Sequence, residues 1–428
     1  MPRQHEFIEN NYWTSPRLIA TDYSTRRFPE KTDVLVIGGG YTGIVTALCL
    51  RNADVAVTLI DQERIGSTAS AKNGGMALTG LSVSLSTIKK TFGRGKMIRL
   101  YRESLESIDC VEKLIRKGEI DCDFKRSGYL QAAYKPRHFS GLKKDQEFLS
   151  RELNHETILV PADRMNDEIG SNLYHGGLIE PISAGLHPAK YIAGLVNMAD
   201  NAGVDIHEGI KARKIVRQGS RFSVSTNAGI ILADNVVVAT NGYTTNLTPW
   251  QMKRLIPVES FMVATQELPE KELQSLIPNN RMVFDTKRFL YYFRMSPDGK
   301  RLLFGGRPRQ FRQSFSDKAV QIRKDMLKVF PQLADYSVDY AWSGILGFTA
   351  DYMPVIGQNE GIHYAMGYCG HGVGMSTYFG FKLADMILGK ELNTLFAANR
   401  SRPIPLYSGN PWFLPVAHEY YKALDRIA

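Results

Sequence analysis

The chain has 428 residues, and 53 Lys and Arg against 43 Asp and Glu leave a formal net charge of +10. That length gives room for two or three domains, and apolar and charged fractions of 43% and 22% are those of a globular protein, not a fibrous or disordered one. The basic balance suits an anionic cofactor or substrate, nucleic acid or an anionic membrane, but no long basic block appears, so it reads as a solvated surface.

Four cysteines (Cys49, Cys110, Cys122, Cys369) form no C-x-x-C pair and point to a reducing compartment. The opening MPRQHEFIENNYW lacks the apolar core of a signal peptide, and no apolar run is long enough to span a bilayer. The expected location is cytoplasmic. No metal site is expected.

In chain order, residues 1–30 read as an arm over the body, with Tyr12, Trp13 and Tyr23. From Asp33 to Asp61 the pattern is strand, glycine turn, helix, strand, acid. Val34-Leu-Val-Ile37 is short and apolar enough for a buried parallel strand, and Gly38-Gly-Gly40-Tyr41-Thr42-Gly43 matches G-x-G-x-x-G. Ile44, Val45, Leu48 and Leu50 recur at helical spacing, and Val55–Ile60 ends at Asp61, eighteen residues beyond Gly43. In a dinucleotide site Gly38 makes the sharp turn, Gly40 lets backbone N–H groups approach a pyrophosphate, and Gly43 lets helix and strand pack closely. The helix N-terminus offers donors and a positive dipole end, and Asp61 can accept from ribose hydroxyls. At this point NAD(P) and FAD remain open.

The segment from Gln62 and Arg64 through Ser70 to Asn73-Gly74-Gly75-Met76 is small and hydroxylated, and reads as a loop running along the cofactor. Residues 84–155 look mainly helical, interrupted by a strand from Ser127. A helix carrying Tyr191, Leu195 and Val196 leads to a strand near Ile206. A further buried strand ends in the small-residue turn Ala239-Thr240-Asn-Gly242, and a site assembled from such distant parts favours FAD.

Residues 251–330 turn aromatic and β-rich, a wall for an organic substrate, with Tyr291, Tyr292 and Arg294 as pocket candidates. The stretch Trp342-Ser-Gly344 through Pro354 precedes Gly367-Tyr-Cys-Gly370-His371-Gly372-Val373-Gly374, another strand, glycine loop and helix N-terminus. Its dipole could stabilise negative charge on a reduced flavin.

Taken together, Val36–Gly43, the Arg64…Gly75 run, Ile120-Asp-Cys-Asp, Tyr291-Tyr-Phe-Arg, Arg301-Leu-Leu-Phe-Gly-Gly, Phe330-Pro-Gln-Leu and Gly367–Gly372 resemble the D-amino-acid oxidase superfamily of FAD enzymes. The likeness covers essentially the whole chain and is nearest to the γ-glutamylputrescine oxidoreductase-like branch. It implies an α/β fold in which a Rossmann-like, glutathione-reductase-like FAD-binding domain is interleaved with an α+β substrate domain built on an antiparallel sheet. The segments implied are 31–85, 156–250 and 335–395 for FAD, 86–155 and 251–334 for substrate, and 396–428 as a C-terminal tail.

The activity implied is hydride transfer to flavin N5 from a C–H bond beside an amine nitrogen, with the imine hydrolysed to an aldehyde. O₂ is the expected acceptor, and a quinone- or carrier-linked dehydrogenase is the alternative. Small-molecule amines are the expected substrates. A tRNA-acting flavoprotein is the alternative of another class, disfavoured because no Arg/Lys strip with interleaved aromatics stands out.

Residues nominated near the chemistry are His371, Tyr292 and Arg307, with no dedicated base. Relatives of the glycine oxidase type carry an arginine for the substrate carboxylate where this chain has Leu346, which favours an amine over a simple α-amino acid. Arg307 either binds an acidic substrate end or lies on the surface. No cysteine stands where sarcosine oxidases attach flavin, so non-covalent FAD is expected; Cys369 reads as a packing residue. The amphipathic tail beyond Pro415 either docks on its own core or touches a membrane surface.

Overall fold

The computed structural model describes residues 7–15, 18–309, 313–398 and 401–427. Two eight-stranded sheets organise it. In the first, strand Lys31–Ile37 lies between Val57–Ile60 and Ile230–Val238, parallel to both. Asp205–His207 extends one side in parallel, and Ile362–Met366 the other. The residues Val34 to Ile37 and Val57 to Ile60 are all buried, which explains why Thr58 is the one polar residue among them: a parallel strand covered on both faces has no polar side to show. An antiparallel hairpin, Ala212–Gln218 with Arg221–Thr226, is attached to the strand Ile230–Val238.

Helix Tyr41–Arg51 follows the first strand and is buried from Tyr41 to Ala47, because it lies between that sheet and the helix Gly372–Ile387. Gly43 permits the close approach: a Cβ there would sit 1.9 Å from the Gly38 carbonyl oxygen. Where the two helices meet, Thr46 Oγ1 donates to the Gly380 carbonyl at 3.2 Å.

The second sheet runs in the order Val338–Phe348, Ile256–Thr265, Leu302–Gly306, Tyr292–Met295, Met282–Asp285, Tyr129–Ala132, Gly177–Glu180, Ile158–Val160. Every neighbouring pair is antiparallel except Met282–Asp285 with Tyr129–Ala132. Strand pairing therefore cuts across the expected segments. Ile158–Val160, Gly177–Glu180 and Val338–Phe348 fall in stretches read as FAD-binding, yet they hydrogen-bond into the second sheet. A short strand's own residues set its face pattern, but not which sheet edge it joins.

The arm is stitched to the second sheet by a bridge between Asn10 and Ala341, and Trp13 and Tyr23 are almost fully buried. At the other end, helix Leu414–Ile427 covers the 288–289 turn: Asp425 accepts the backbone N–H of Arg288 at 3.0 Å and of Phe289 at 3.1 Å. Among the described residues no helix is long and apolar enough to cross a membrane.

Candidate active site

One cleft of about 930 Å³ runs from the carboxyl ends of the parallel strands to the face of the second sheet. Ligands of open α/β sheets bind at that edge of the strands. Its volume is near the upper end for small-molecule sites, as a long ligand needs.

At the first end, Gly38 turns with φ +111°, and a Cβ there would lie 2.9 Å from the Ala239 carbonyl oxygen. Gly38, Gly40, Tyr41 and Thr42 line the cleft, and no side chain of the N-cap residue Gly40 closes the helix. Asp61 and Gln62 line the same end. The Asp61 carboxylate accepts the N–H of Gly39 at 2.7 Å and of Glu63 at 2.9 Å; burial raises its pKa, and those two bonds oppose the rise.

The next wall is the short helix Ala69–Lys72 with the loop after it, where Ser70, Asn73, Gly74 and Met76 face the cleft. Ser70 Oγ accepts the N–H of Tyr41 at 3.2 Å, and Asn73 Oδ1 accepts the N–H of Gly75 at 2.8 Å. Beneath the loop, Arg294 Nη1 donates to the carbonyls of Gly75 at 2.8 Å and Leu186 at 3.1 Å. Burial lowers the Arg294 pKa to about 10.

From the third direction, Thr240, Gly344, Gly370, His371, Gly372 and Val373 complete the lining. Thr240 Oγ1 lies 2.8 Å from Thr244 Oγ1, and the neighbouring Asn241 accepts the Gly367 N–H at 2.9 Å, tying the turn to the C-terminal loop. His371 is the N-cap of helix Gly372–Ile387, again without a side-chain cap, so a second positive helix end opens onto the cleft. The His371 ring places Nδ1 3.1 Å from Ser82 Oγ, and burial lowers its pKa to about 4, so it is neutral near pH 7. Burial pushes the Cys369 thiol up to about 12, and its sulfur lies 3.1 Å from the Gly367 carbonyl oxygen.

On the sheet wall, Tyr292 lines the cleft with its hydroxyl 2.8 Å from Ser260 Oγ. Its ring lies over Gly305, where a Cβ would approach to 2.2 Å, and against Gly74. Burial raises its pKa to about 12, so it stays a neutral phenol. Arg307 lines the cleft with its guanidinium 4.9 Å from the centre of the Phe348 ring. Of the other pocket candidates, Tyr291 turns to the opposite core beside Phe304, and Arg294 braces the loop below the surface.

Five of the residues nominated for the cofactor also do not reach the cleft wall. Gly43, Gly242 and Gly374 are close-packing positions, where a Cβ would meet the Gly38 oxygen at 1.9 Å, the Leu346 backbone at 2.9 Å and Ser107 Oγ at 2.5 Å. Gly75 holds its loop through Arg294, and the Arg64 carbonyl accepts from Ser67 Oγ at 2.6 Å in an exposed turn. Sequence reasoning missed Ser82, Tyr352, Tyr368 and Tyr421, all on the lining. Tyr368 does stand inside the Gly367–Gly374 glycine loop, whereas Ser82, Tyr352 and Tyr421 belong to no such motif and only the fold brings them to the cleft.

Residues 33–386 match the model of the DAO family, described as FAD-dependent oxidoreductase. The chain belongs to this family. It is 32% identical to a Haemophilus influenzae protein named "Probable oxidoreductase OrdL", over 93% of each chain. It is 31% identical to the Escherichia coli γ-glutamylputrescine oxidoreductase, over 92% of this chain and 93% of that one. Glycine oxidase from Geobacillus kaustophilus superposes with a TM-score of 0.74 at 20% identity, covering 87% of this chain and all of that one, which shows the shared fold.

This DAO-family chain is thus an FAD-dependent oxidoreductase. Its residues suit the cofactor: two helix ends whose N-cap residues, Gly40 and His371, add no side-chain cap face one long cleft, and the turn at Gly38 and the loop at Gly74 leave backbone exposed to it.

Proposed function

We propose that the chain oxidises the C–N bond of a primary or secondary amine, with non-covalently held FAD and O₂ as acceptor. The observation that carries this reading is the single cleft joining the Gly38–Thr42 helix end, through the Asn73–Gly74 and Gly370–Val373 loops, to the Tyr292 wall. The first of these would hold the ADP half and the two loops the flavin half, leaving the sheet face for substrate.

Bound FAD supplies a two-electron acceptor for the hydride of the C–H bond next to the amine nitrogen. Water hydrolyses the resulting imine to an aldehyde and ammonia or a smaller amine, and O₂ leaves with two electrons and two protons as H₂O₂. This chain's residues orient and desolvate. Tyr292 and Ser260 present hydroxyls, neutral His371 adds no positive charge to repel a cationic amine, and Leu346 disfavours a simple α-amino acid at its position. The γ-glutamylputrescine oxidoreductase relative supports an amine of that kind or an N-substituted amino compound as the substrate.

The test is an anaerobic screen of polyamines, γ-glutamyl amines and N-methyl amino acids on the purified yellow protein. Bleaching of the visible flavin band by an amine, restored with H₂O₂ on admitting air, is the expected result. A bleached flavin that stays reduced in air would replace O₂ with another acceptor. Failure of every amine would overturn the reading.

A further inference from the structure

Resting on that reading, we propose that the substrate is an amine that also bears a carboxylate, and that Arg307 is the residue that seats it. The register of the second sheet supports the placement. Tyr292 pairs with Gly305, Phe261 with Gly306, Ser260 with Gly344 and Val258 with Leu346. Alternate residues of a strand share a face, so Arg307, two beyond Gly305, stands on the face of Tyr292. Leu346, two beyond Gly344, stands on that face too, and the 2.8 Å contact between Tyr292 and Ser260 joins the strands across it. Leu346 and Arg307 are therefore on one wall, separated by the strand Ile256–Thr265, or about 10 Å from two strand spacings. The wall has no cation at 346, but it has one at 307.

The charge at 307 is unmatched. Arg301 pairs with Asp339 at 2.7 Å, Lys318 with Glu259 at 2.5 Å, and Arg294 bonds backbone carbonyls. Arg307 makes no hydrogen bond or ion pair with any described residue; it stacks on Phe348, and its electrostatic neighbours are Tyr352, Tyr292 and Cys369. A recessed guanidinium without an acceptor is costly unless an anion comes to it. A carboxylate fits its planar fork in a bidentate pair. Tyr352, and Tyr421 from the last helix, line the same part of the wall and supply hydroxyl donors.

The test uses the flavin-loaded wild type, Arg307→Lys and Arg307→Met. Acetate, benzoate and the uncharged benzamide are titrated while the flavin absorption band and the melting temperature are followed, neither of which needs turnover. We expect the carboxylates to perturb both signals and benzamide to perturb neither. Arg307→Met should weaken carboxylate binding on the order of 10- to 100-fold, the loss of one charge-assisted pair, and Arg307→Lys should retain part of it. Pentylamine and 5-aminopentanoate, matched except for the carboxylate, should bleach the flavin at different concentrations in the wild type and at similar ones in Arg307→Met. Equal responses to benzoate and benzamide, or release of flavin from Arg307→Met, would overturn the seat. Failure of all amines to bleach would overturn the amine-oxidising reading alone, since the carboxylate titration still decides the role of Arg307.

Discussion

Thr42 Oγ1 lies 2.5 Å from the hydroxyl of Tyr368, joining residues 326 apart in the chain. Thr42 opens the helix after the first glycine turn, and Tyr368 stands in the loop before the second helix end, so this bond sets one helix end against the other. Both side chains are buried. Tyr368→Phe should leave the Thr42 hydroxyl without that partner and destabilise the flavin-loaded protein by about 1–3 kcal/mol. Combining it with Thr42→Val removes both polar atoms, so the double variant should be less unstable than the sum of the two. A double-mutant cycle on melting temperature, with flavin release followed by fluorescence, measures this coupling. Additive effects would show that the bond carries no coupling.

Two glycines should respond oppositely to alanine. At Gly43 a Cβ would overlap the Gly38 carbonyl at 1.9 Å, and neither helix nor strand can retreat without opening the cofactor turn. Gly43→Ala should purify with little or no flavin. At Gly389, just past helix Gly372–Ile387 and away from the cleft, nothing lies within 4 Å of a Cβ, so only its φ of +70° resists, a strain of about 1–3 kcal/mol. Gly389→Ala should keep its yellow colour and melt lower. The ratio of visible to protein absorbance separates the two cases.

The histidines give a pH dependence of definite sign. Burial holds His187, His363 and His371 at about 4, below the ordinary 6.5. The unfolded chain therefore binds more protons than the folded one between those values. Their contribution is fully present above about pH 6.5 and is lost as pH falls towards 4. Melting temperature should fall over that window, and His363→Gln should flatten the fall. Neither His371 at about 4 nor Tyr292 at about 12 titrates between pH 6 and 9. A rise of kcat/KM with pH in that range should persist in Tyr292→Phe and His371→Asn, because the groups left to titrate there are the substrate amine and Asp285, which burial on the same lining raises to about 6.

The parts legible in the sequence were those where local chemistry is forced. Gly38 needs its positive φ and Gly43 its missing Cβ, so the first strand, turn and helix announce themselves in residue types. The same holds for the glycines before helix Gly372–Ile387. What could not be read depends on contacts between distant segments. Arg294 looks like a pocket residue from its spacing with Tyr292, but it lies under Gly75 and spends its donors on carbonyls. Strand Gly177–Glu180 carries no mark that it pairs with Tyr129–Ala132 rather than with the dinucleotide sheet. Tyr421 reaches the cleft only because the final helix folds back over the 288–289 turn.

That last contact should govern substrate rather than cofactor. The Asp425 carboxylate holds the N–H groups of Arg288 and Phe289, the Phe289 ring lies 6.3 Å from Tyr421, and Tyr421 is near enough to Tyr352 to help raise the pKa of its phenol. Arg288, Phe289, Tyr352 and Tyr421 all face the cleft. None belongs to the two helix ends or to the loop of Asn73, so loosening the tail should leave flavin content unchanged. Asp425→Ala removes both acceptors of a partly exposed, charge-assisted pair, costing about 1–2 kcal/mol of local order. It should raise KM for the amine roughly 5- to 30-fold with a smaller change in kcat, because uniform binding is lost rather than an interaction peculiar to the transition state. Asp425→Asn keeps a carbonyl acceptor and should fall between. Loss of flavin from Asp425→Ala, or a fall in kcat at constant KM, would instead make the tail part of the cofactor-holding body.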